Sequence, residues 1–277
     1  MDFGFHEFKT VRDMIYAKTG IFVSDQKVYL LKKRIQDRIN ALRFSSASEY
    51  IRFLKFSDHG GKEFNNLVIA TTVNETYFFR EFPQLQIFAE YCLPEVVERA
   101  KKSSVRILSA GCSTGEEPYT LSIICQEMLT PQCNFFVEAI DIDDRALSTA
   151  LRGIYDERSV RDVPHTYLEK YFEATPEGYA VKDFVRRYVN FSKVNLFDQT
   201  QLTSLGHDFD FVFCRNVLIY FSDDSRRKVI EGFYTMMKPG GYIFLGHSES
   251  LSRITTAFKL KRMGGGLVYQ KPLTEEG

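Results

Sequence analysis

The stretch from Val105 to Pro118 constrains the fold more than any other part of the chain. It predicts a buried strand, a turn between Gly111 and Gly115, and a helix that opens with two acids and a proline. A second apolar run, Phe135–Ile140, leads into Asp141, which lies thirty residues after Gly111. This order is the βαβ unit that binds nucleosides, with an acid at the tip of the second strand for ribose hydroxyls.

The glycine spacing indicates which nucleoside the unit binds. A dinucleotide site uses Gly-x-Gly-x-x-Gly, so that helix amides can approach a pyrophosphate. Here only Gly111 and Gly115 are present, and Glu116 and Glu117 stand where the phosphates would lie. Two carboxylates repel phosphate but suit a cationic or hydroxyl-rich ligand. S-adenosylmethionine, a sulfonium with a ribose and no phosphate, fits that description.

Composition excludes several classes of protein. Lysine plus arginine equals aspartate plus glutamate, at 36 each, so no global field favours nucleic acid or an anionic membrane. No apolar run approaches the roughly 18 residues of a membrane span, and the N-terminus does not resemble a signal peptide. The five cysteines form no Cys-x-x-Cys pair, which is typical of reduced thiols in a cytoplasm. We therefore expect a cytoplasmic protein that neither inserts into a membrane nor binds nucleic acid.

The first 70 residues or so have the pattern of helices. Apolar residues recur at helical spacing from Phe5 to Ile15, and Gly20 predicts a stop. Ser24 is a candidate cap for a second helix that runs to about Leu42. A third helix is predicted from about Ser46, and a fourth after the break at 58–61.

From Val105 onward the pattern changes to α/β. The predicted strands are 105–110, 135–140, 188–194, 209–214 and 242–246, and the predicted helices are 116–129, 144–152 and 223–237. The segments 258–262 and 267–270 predict an antiparallel pair, which methyltransferase sheets usually carry and dehydrogenase sheets do not. An insertion at about 152–187 holds two short alternating runs, 179–182 and 184–187, which we interpret as a hairpin.

Polar residues cluster where the predicted strands end. Six segments of the chain together form a recognisable set of motifs. They are Asn-Glu-Thr-Tyr-Phe-Phe-Arg (74–80), Ser-Thr-Gly-Glu-Glu-Pro-Tyr (113–119), Asp-Ile-Asp (141–143), Val-Asn-Leu (194–196), Cys-Arg-Asn-Val-Leu-Ile-Tyr-Phe (214–221) and Gly-His-Ser-Glu (246–249). In this order the chain resembles the chemotaxis-receptor glutamate O-methyltransferases, the CheR family. The match spans most of the chain, and no single segment would be specific.

The resemblance implies an architecture and a function. It implies an all-α N-terminal domain (1–72), a connecting segment and helix (73–104), and an α/β, Rossmann-like class I S-adenosylmethionine-dependent methyltransferase domain (105–277) with a small antiparallel β subdomain at about 172–190. It implies methylation of glutamates on the cytoplasmic helices of bacterial chemoreceptors, with S-adenosylhomocysteine as product. Carried over by motif, the cofactor contacts are Asn74, Thr76, Arg80, Glu117, Asp141, Asn195, Leu196, Asn216 and Val217.

The chemistry needs few groups. A glutamate side chain is ionised at pH 7, since its reference pKa is about 4.3. Its carboxylate can attack a sulfonium methyl directly, so we expect proximity catalysis without a general base, a metal or a His or Cys centre. Arg80 is a candidate for orienting a carboxylate through a charge-assisted fork. Tyr220 is a candidate for directing the acceptor oxygen near the methyl group.

Each assignment has an alternative. Asp141 could cap the next helix, the helix dipole alone could favour Glu117, Asn216 could satisfy turn amides, and Tyr220 could belong to the core. The whole chain could instead be a nucleic-acid methyltransferase, although 215–220 lacks the Asx-Pro-Pro-aromatic turn of enzymes that methylate base amines. It could also be a scaffold that binds the cofactor without turnover.

A basic helix offers a surface for a partner. In the stretch 27–43 six basic residues accompany a single acid, and Arg34 and Arg38 share one face because they are four residues apart. In the family such a helix is thought to meet the acidic receptor helix, so Arg34 and Arg38 are candidate substrate-binding residues. Some members also dock a receptor tether on the β subdomain, but the short connection at 175–179 predicts no tether here. We expect a monomer.

Overall fold

The structure, a computed structural model, describes residues 4–24, 28–72, 75–100 and 104–273. The chain forms two compact units. The first comprises Met1–Val73 with Tyr220–Ser225, and the second comprises Asn74–Ile219 with Arg226–Gly277. Nearly all of the predicted connecting segment, 73–104, therefore belongs to the second unit.

The first unit is helical, as predicted. Its helices are α1 (Phe5–Thr19), α2 (Val28–Ala41), α3 (Ala47–Phe56) and α4 (Lys62–Ile69). Helix α1 ends at Gly20, which has a φ of 69° and so satisfies a left-handed C-cap. Helix α3 begins on Ser46, whose side chain accepts a hydrogen bond from Glu49 N. The cap predicted at Ser24 precedes residues 25–27, which lie outside the described residues.

The second unit alternates helices and strands. Its helices are α5 (Phe82–Ile87), α6 (Leu93–Ala100), α7 (Glu116–Met128), α8 (Asp144–Arg152), α9 (His165–Tyr171), α10 (Asp183–Arg186), α11 (Gln199–Ser204) and α12 (Asp223–Met236), whose first turn is assigned to the first unit. Its strands are β1 (Ser104–Ala110), β2 (Asn134–Asp141), β3 (Ile154–Tyr155), β4 (Phe172–Thr175), β5 (Gly178–Val181), β6 (Val189–Lys193), β7 (Phe209–Cys214), β8 (Met237–Leu245), β9 (Lys259–Met263) and β10 (Gly266–Gln270). Across the described part of the chain, no helix has both the length and the apolarity to cross a bilayer.

Seven strands form the main sheet in the order β6-β2-β1-β7-β8-β10-β9. The pairings among β6, β2, β1, β7 and β8 are parallel, whereas β10 is antiparallel to both β8 and β9. The predicted Rossmann-like sheet with an appended antiparallel pair is thus confirmed. The strand order reverses between β1 and β7, and ligands of open α/β sheets bind at such a switch point, beyond the carboxyl ends of the strands.

The insertion forms a separate three-stranded sheet in the order β3-β5-β4. Strands β4 and β5 form an antiparallel hairpin through a tight turn at 176–177. The prediction that 184–187 supplies a strand was wrong, because Asp183–Arg186 is the short helix α10. Val185 points into the core there, and its carbonyl accepts a hydrogen bond from Ser122 on α7. The alternation seen in the sequence reflects this single buried residue between half-buried ones.

Candidate cofactor and active site

Three residues in the left-handed region shape the turn between β1 and α7. Gly111, Ser113 and Gly115 have φ values of 82°, 49° and 96°. A Cβ on Gly111 would overlap the Cγ2 methyl of Val217, and one on Gly115 would lie 2.8 Å from Ala150 Cβ. Glycine is required at both positions, because a side chain closely approaches the backbone and the backbone conformation disfavours a Cβ. Since Val217 follows β7, its contact with Gly111 joins two strand ends at the switch point.

Asp141 binds backbone amides through both carboxylate oxygens. Oδ2 accepts a hydrogen bond from Ser113 N at 2.8 Å, and Oδ1 accepts one from Asp143 N at 2.9 Å. Burial raises the pKa of Asp141 above its ordinary value, although these amide hydrogen bonds oppose the rise. A carboxylate oxygen has more than one lone pair, so both oxygens keep acceptor capacity for the hydroxyls of a ligand.

The capping role considered for Asp141 belongs to Asp143. The Asp143 carboxylate accepts hydrogen bonds from Arg145 N at 2.8 Å and Ala146 N at 3.2 Å, and so caps α8. Asp141 is not the helix cap. Ribose binding by Asp141 remains a prediction.

The two acids at the start of α7 differ in their contacts. Glu116 is 2% exposed and accepts hydrogen bonds from the hydroxyls of Thr114 at 2.7 Å and Ser159 at 3.2 Å. Burial raises the pKa of Glu116. Glu117 instead accepts a hydrogen bond from Ser109 Oγ at 2.7 Å. Glu116 therefore stabilises the turn through buried hydrogen bonds, whereas Glu117 lies beside the carboxyl end of β1.

Arg215 lies directly after β7 and forms an ionic cluster with two carboxylates. Its Nη1 lies 3.2 Å from Glu117 Oε2, and its Nη2 lies 3.3 Å from Glu81 Oε2. The Arg215 Nη2 also donates to the backbone carbonyl of Arg80. The Arg215 side chain is 4% exposed, against 15% for Glu117 and 21% for Glu81. The guanidinium is therefore buried beneath two carboxylates that both reach the surface of the unit.

Asn216, next along the chain, has a φ of 59° and binds two acids. Its backbone N donates to Glu249 Oε2 at 2.8 Å, and its Nδ2 donates to Glu81 Oε1 at 3.4 Å. Glu249 also accepts hydrogen bonds from Gly246 N at 2.7 Å and Ile219 N at 3.2 Å. Glu249 thus holds together the segments that follow β7 and β8. The Asn216 side chain satisfies a carboxylate, and cofactor contact by Asn216 remains a prediction.

Two hydrogen bonds fix the segment that leads to Arg80. Phe78 N donates to Ser159 O at 2.9 Å, and Phe79 N donates to Thr120 Oγ1 at 3.2 Å. Phe79 and Glu81 have φ values of 60° and 55°, and such conformations of non-glycine residues persist only where the surroundings enforce them. The backbone on both sides of Arg80 is therefore held in an uncommon conformation.

The Arg80 side chain folds back onto its own segment. Its guanidinium donates to the Glu75 carbonyl and lies 5.8 Å from the centre of the Tyr77 ring. The Arg161 guanidinium lies 3.8 Å from the centre of the same ring, so two cations flank Tyr77. Thr76, between these residues, is half-buried. Asn74 lies outside the described residues.

The loop after β6 lies beside Asp141, because Val194 N donates to the Asp141 carbonyl at 3.0 Å. Within this loop, Asn195 Oδ1 accepts a hydrogen bond from Phe197 N at 3.1 Å, and Leu196 is 7% exposed. The structure thus brings the loop to the same strand end as Asp141. The Asn195 side chain stabilises the local turn, and its contact with a cofactor remains a prediction.

Three predicted site residues belong to the first unit. Tyr220 ends the 3-10 turn Leu218–Tyr220, and its carbonyl accepts a hydrogen bond from Phe22 N at 2.8 Å. On α2, Arg38 Nε donates to Glu63 Oε1 at 2.9 Å, and the Glu63 side chain is only 6% exposed. Arg34 is half-buried on the same helix. Arg38 therefore holds a buried acid within the unit, which the charge pattern of the helix did not indicate.

Sequence reasoning missed Arg215, Glu81 and Glu249. A signal was present for Arg215, since a charged residue directly after the buried run Phe209–Cys214 has to find a carboxylate. Local sequence does not indicate that Glu81 meets Arg215 or that Glu249 meets Asn216, because these partners lie far along the chain.

The residues at the switch point fit S-adenosylmethionine. The glycines at 111 and 115 let the turn pack closely against Val217 and Ala150, and Ser113 Oγ is buried without a hydrogen-bond partner among the described residues. Asp141 offers acceptors for hydroxyl groups, and the carboxylates of Glu117 and Glu81 suit a cation but repel a phosphate. The fold and the site together define a methyltransferase domain that binds S-adenosylmethionine.

Comparison with known families gives the same class, a methyltransferase, and identifies the family within that class. Residues 74–265 match the family model "CheR methyltransferase, SAM binding domain", and residues 6–72 match "CheR methyltransferase, all-alpha domain". The chain belongs to the CheR methyltransferase family. Its cofactor is S-adenosylmethionine, as the sequence predicted.

Similar proteins match nearly the whole chain. "Chemotaxis protein methyltransferase 2" of Vibrio cholerae is 41% identical over 269 residues, covering 96% of this chain and 93% of the relative. "Chemotaxis protein methyltransferase" of Borreliella burgdorferi is 33% identical, covering 88% of each chain. The protein of that name from Escherichia coli is 32% identical, covering 95% of this chain and 89% of the relative.

Proposed function

We propose that the protein transfers methyl groups from S-adenosylmethionine to glutamate side chains of methyl-accepting chemotaxis receptors, producing glutamate methyl esters. The observation that carries this proposal is the 41% identity, over 96% of the chain, to a chemotaxis protein methyltransferase. Because the proposed substrates are cytoplasmic receptor helices, we also propose a cytoplasmic location. We propose in addition that the protein acts as a monomer.

The proposed reaction needs alignment more than proton transfer. S-adenosylmethionine supplies a methyl group bonded to a sulfonium sulfur. An ionised carboxylate can attack that methyl group without a base, and the sulfur leaves as a neutral thioether. The protein has to hold the two reactants in line and exclude water. The turn at Gly111–Gly115, Asp141 and Glu117 would hold the nucleoside and the methionine end of the cofactor.

Two thiols near the switch point support direct attack by the substrate. Cys112 lies within the glycine turn and Cys214 ends β7. Burial raises the pKa of each thiol well above the ordinary value for cysteine, and nearby carboxylates raise each pKa further. Neither cysteine forms a nucleophilic thiolate near neutral pH, so a covalent methyl-cysteine intermediate is disfavoured.

The remaining roles concern the methyl acceptor. We propose that Arg80 orients a carboxylate, either that of the substrate or that of the cofactor's methionine, and that Tyr220 directs the acceptor oxygen. We propose that Arg34 on α2 contacts the receptor. Arg38 is a weaker candidate for receptor contact than its spacing suggested, because its guanidinium is paired with Glu63.

Methyl transfer to receptor-containing membranes tests the proposal. The purified protein is incubated with S-adenosylmethionine labelled in the methyl group, and the labelled receptor is then treated with alkali. We expect the label to appear on the receptor and to leave as volatile methanol, because a carboxyl methyl ester hydrolyses in base.

Two controls make the assay specific. A receptor whose candidate glutamates are replaced by alanine should take no label. Base-stable label would contradict the proposal and indicate N-methylation. Binding of S-adenosylhomocysteine without label on any receptor would indicate a scaffold that does not turn over.

A further inference from the structure

The buried guanidinium of Arg215 joins three separate segments of the chain. Burial of a guanidinium is unfavourable unless charged partners and hydrogen bonds compensate it. Arg215 has two carboxylate partners, Glu117 at 3.2 Å and Glu81 at 3.3 Å, and also donates to the Arg80 carbonyl. The Nε of Arg215 is buried and finds no partner in the part of the chain that the structure describes. Its contacts therefore pass through Nη1 and Nη2.

The three partners lie on separate segments. Glu117 is in the first turn of α7, Glu81 is the N-terminal cap residue of α5, and Arg80 ends the segment 75–80. Two of these residues, Glu117 and Arg80, are predicted cofactor contacts. A single guanidinium thus joins the elements that carry them.

Glu117 is oriented from two sides. Its Oε1 accepts from Ser109 Oγ at 2.7 Å, and its Oε2 faces Arg215 Nη1 at 3.2 Å. These contacts fix the plane of the carboxylate and leave a lone pair on each oxygen. Two carboxylates against one guanidinium also leave an excess negative charge, which favours a cationic ligand group such as an α-ammonium.

We propose that Arg215 is a positioning residue for the cofactor. It holds Glu117 and the backbone at 80–81 in the orientation that receives the methionine end of the cofactor. The inference rests on the proposed function only in placing Glu117 against the cofactor. It does not depend on which side chain accepts the methyl group.

The geometry predicts how substitutions behave. Arg215→Met keeps most of the volume but leaves two carboxylates uncompensated. Arg215→Lys keeps the charge, yet one ammonium cannot reproduce a planar fork that meets Glu117, Glu81 and a carbonyl together. If Arg215 acts through Glu117, its loss should matter little once Glu117 is already neutral, because interacting residues are non-additive.

Calorimetric titration with S-adenosylhomocysteine tests this coupling and requires no methyl acceptor. We expect Arg215→Met to weaken binding by about tenfold or more, and Arg215→Lys by a smaller factor. In a Glu117→Gln background, the same Arg215→Met change should cost a smaller factor, because only the contacts with 80–81 remain to be lost. If Arg215→Met does not fold, Arg215→Lys with and without Glu117→Gln carries the same comparison.

Arg106→Met is the matched control. Arg106 also bridges distant segments, donating to the His207 and Leu205 carbonyls and lying 4.5 Å from the centre of the Phe209 ring, but it sits near the start of β1, at the opposite end of the strand from the glycine turn. We expect this variant to bind S-adenosylhomocysteine as the wild type does.

Two results would overturn the inference. One is wild-type affinity in Arg215→Met or Arg215→Lys, and the other is an equally large loss with and without Glu117→Gln. Wild-type binding of S-adenosylhomocysteine with no labelling of any receptor would count against glutamate methylation while leaving the inference in place.

Discussion

Val217 lies so close to the bare Cα of Gly111 that a methyl group on the glycine would overlap the valine Cγ2. We expect Gly111→Ala to destabilise the protein by about 1–3 kcal/mol through overpacking, with a further cost of about 1–2 kcal/mol for alanine at a φ of 82°. Urea unfolding measures the change. Because we propose that the turn also approaches the cofactor, we expect affinity for S-adenosylhomocysteine to fall as well.

Gly60→Ala is the matched control for this substitution. Gly60 has a φ of 94°, but no atom lies within 4 Å of a Cβ built there. It should show only the conformational cost, about 1–2 kcal/mol. Adding Val217→Ala to Gly111→Ala should recover the overpacking part. A double variant no more stable than Gly111→Ala would show that the contact is not the cause.

Asp141 and Asp143 lie at the same strand end. We expect Asp141 to bind the cofactor, whereas Asp143 caps α8. Asp141→Asn removes the charge that accepts a hydrogen bond from Ser113 N and that we propose accepts hydrogen bonds from ligand hydroxyls. Hydrogen bonds to charged groups are worth about 1.5–3 kcal/mol, so affinity for S-adenosylhomocysteine should fall by about 10- to 150-fold. Calorimetric titration measures the loss.

Asp143→Ala should give the opposite profile. It removes the N-cap of α8 and should cost about 1 kcal/mol of stability. Affinity for S-adenosylhomocysteine should stay near that of the wild type at a temperature where the variant is folded. If Asp143→Ala weakens binding more than Asp141→Asn does, the assignment of the two carboxylates is reversed.

Glu116 should make stability depend on pH in an unusual direction. Burial raises its pKa in the folded state, so the folded protein binds this proton more tightly than the unfolded chain. The resulting stabilisation is present below the unfolded pKa of about 4.5 and is lost as pH rises through the folded value. Glu116→Gln should therefore gain stability relative to the wild type as pH increases from about 4.5 toward neutrality, as measured by urea unfolding.

Glu127 provides a control of opposite sign. Burial acts to raise its pKa, but hydrogen bonds from Lys170 and Tyr171 outweigh it and the pKa is lowered. Its stabilisation is present above the unfolded pKa and is lost as pH falls through the folded value. Glu127→Gln should thus be less stable than the wild type near neutral pH and approach it in acid. Parallel behaviour of the two variants would contradict both assignments.

The sequence predicted the sheet well because buried strands are continuous apolar runs. The run at 209–214 and the observed β7 coincide, and the turn from Gly111 and the acid Asp141 lie at the carboxyl ends of two neighbouring parallel strands, as the predicted βαβ unit requires. The alternation at 184–187 misled because a one-turn helix with a single buried residue resembles a strand over so few positions.

The charged interior of the site could not be predicted in the same way. Arg215 lies 98 residues from Glu117 and 134 residues from Glu81, so only the tertiary structure shows which acid meets which base. Arg38 and Glu63 are likewise 25 residues apart. Helical spacing placed Arg38 on a face, but it carried no information about the acid on a neighbouring helix.

Arg34 and Arg38 should therefore respond differently to substitution. Arg38→Met leaves the buried Glu63 carboxylate without its cationic partner, although Tyr50 still donates to it, and should cost about 1–3 kcal/mol. Arg34→Glu should leave stability nearly unchanged and weaken receptor binding by about three- to tenfold at low salt. Thermal unfolding and pull-down with receptor membranes measure the two effects.

Arg262→Glu, an exposed charge reversal on β9, changes the net charge by the same amount as Arg34→Glu and should leave receptor binding unaltered. Adding Glu63→Gln to Arg38→Met should restore part of the lost stability. Equal weakening by Arg34→Glu and Arg262→Glu would indicate long-range steering in place of a contact.

We expect replacement of Arg80 to lower turnover more than replacement of Tyr220, because Arg80 contributes a charged donor and Tyr220 a neutral hydroxyl. Arg80→Ala removes a charged donor, worth about 1.5–3 kcal/mol, and should lower kcat/KM for methyl transfer by about 10- to 150-fold. Tyr220→Phe removes a neutral hydroxyl, so a decrease of about two- to twelvefold is expected. Tyr16→Phe is the control, since it removes another hydroxyl of the first unit, one hydrogen-bonded to Ser222. Unchanged kcat/KM in both Arg80→Ala and Tyr220→Phe would remove both residues from the mechanism and leave alignment of the reactants to the cofactor-binding turn alone.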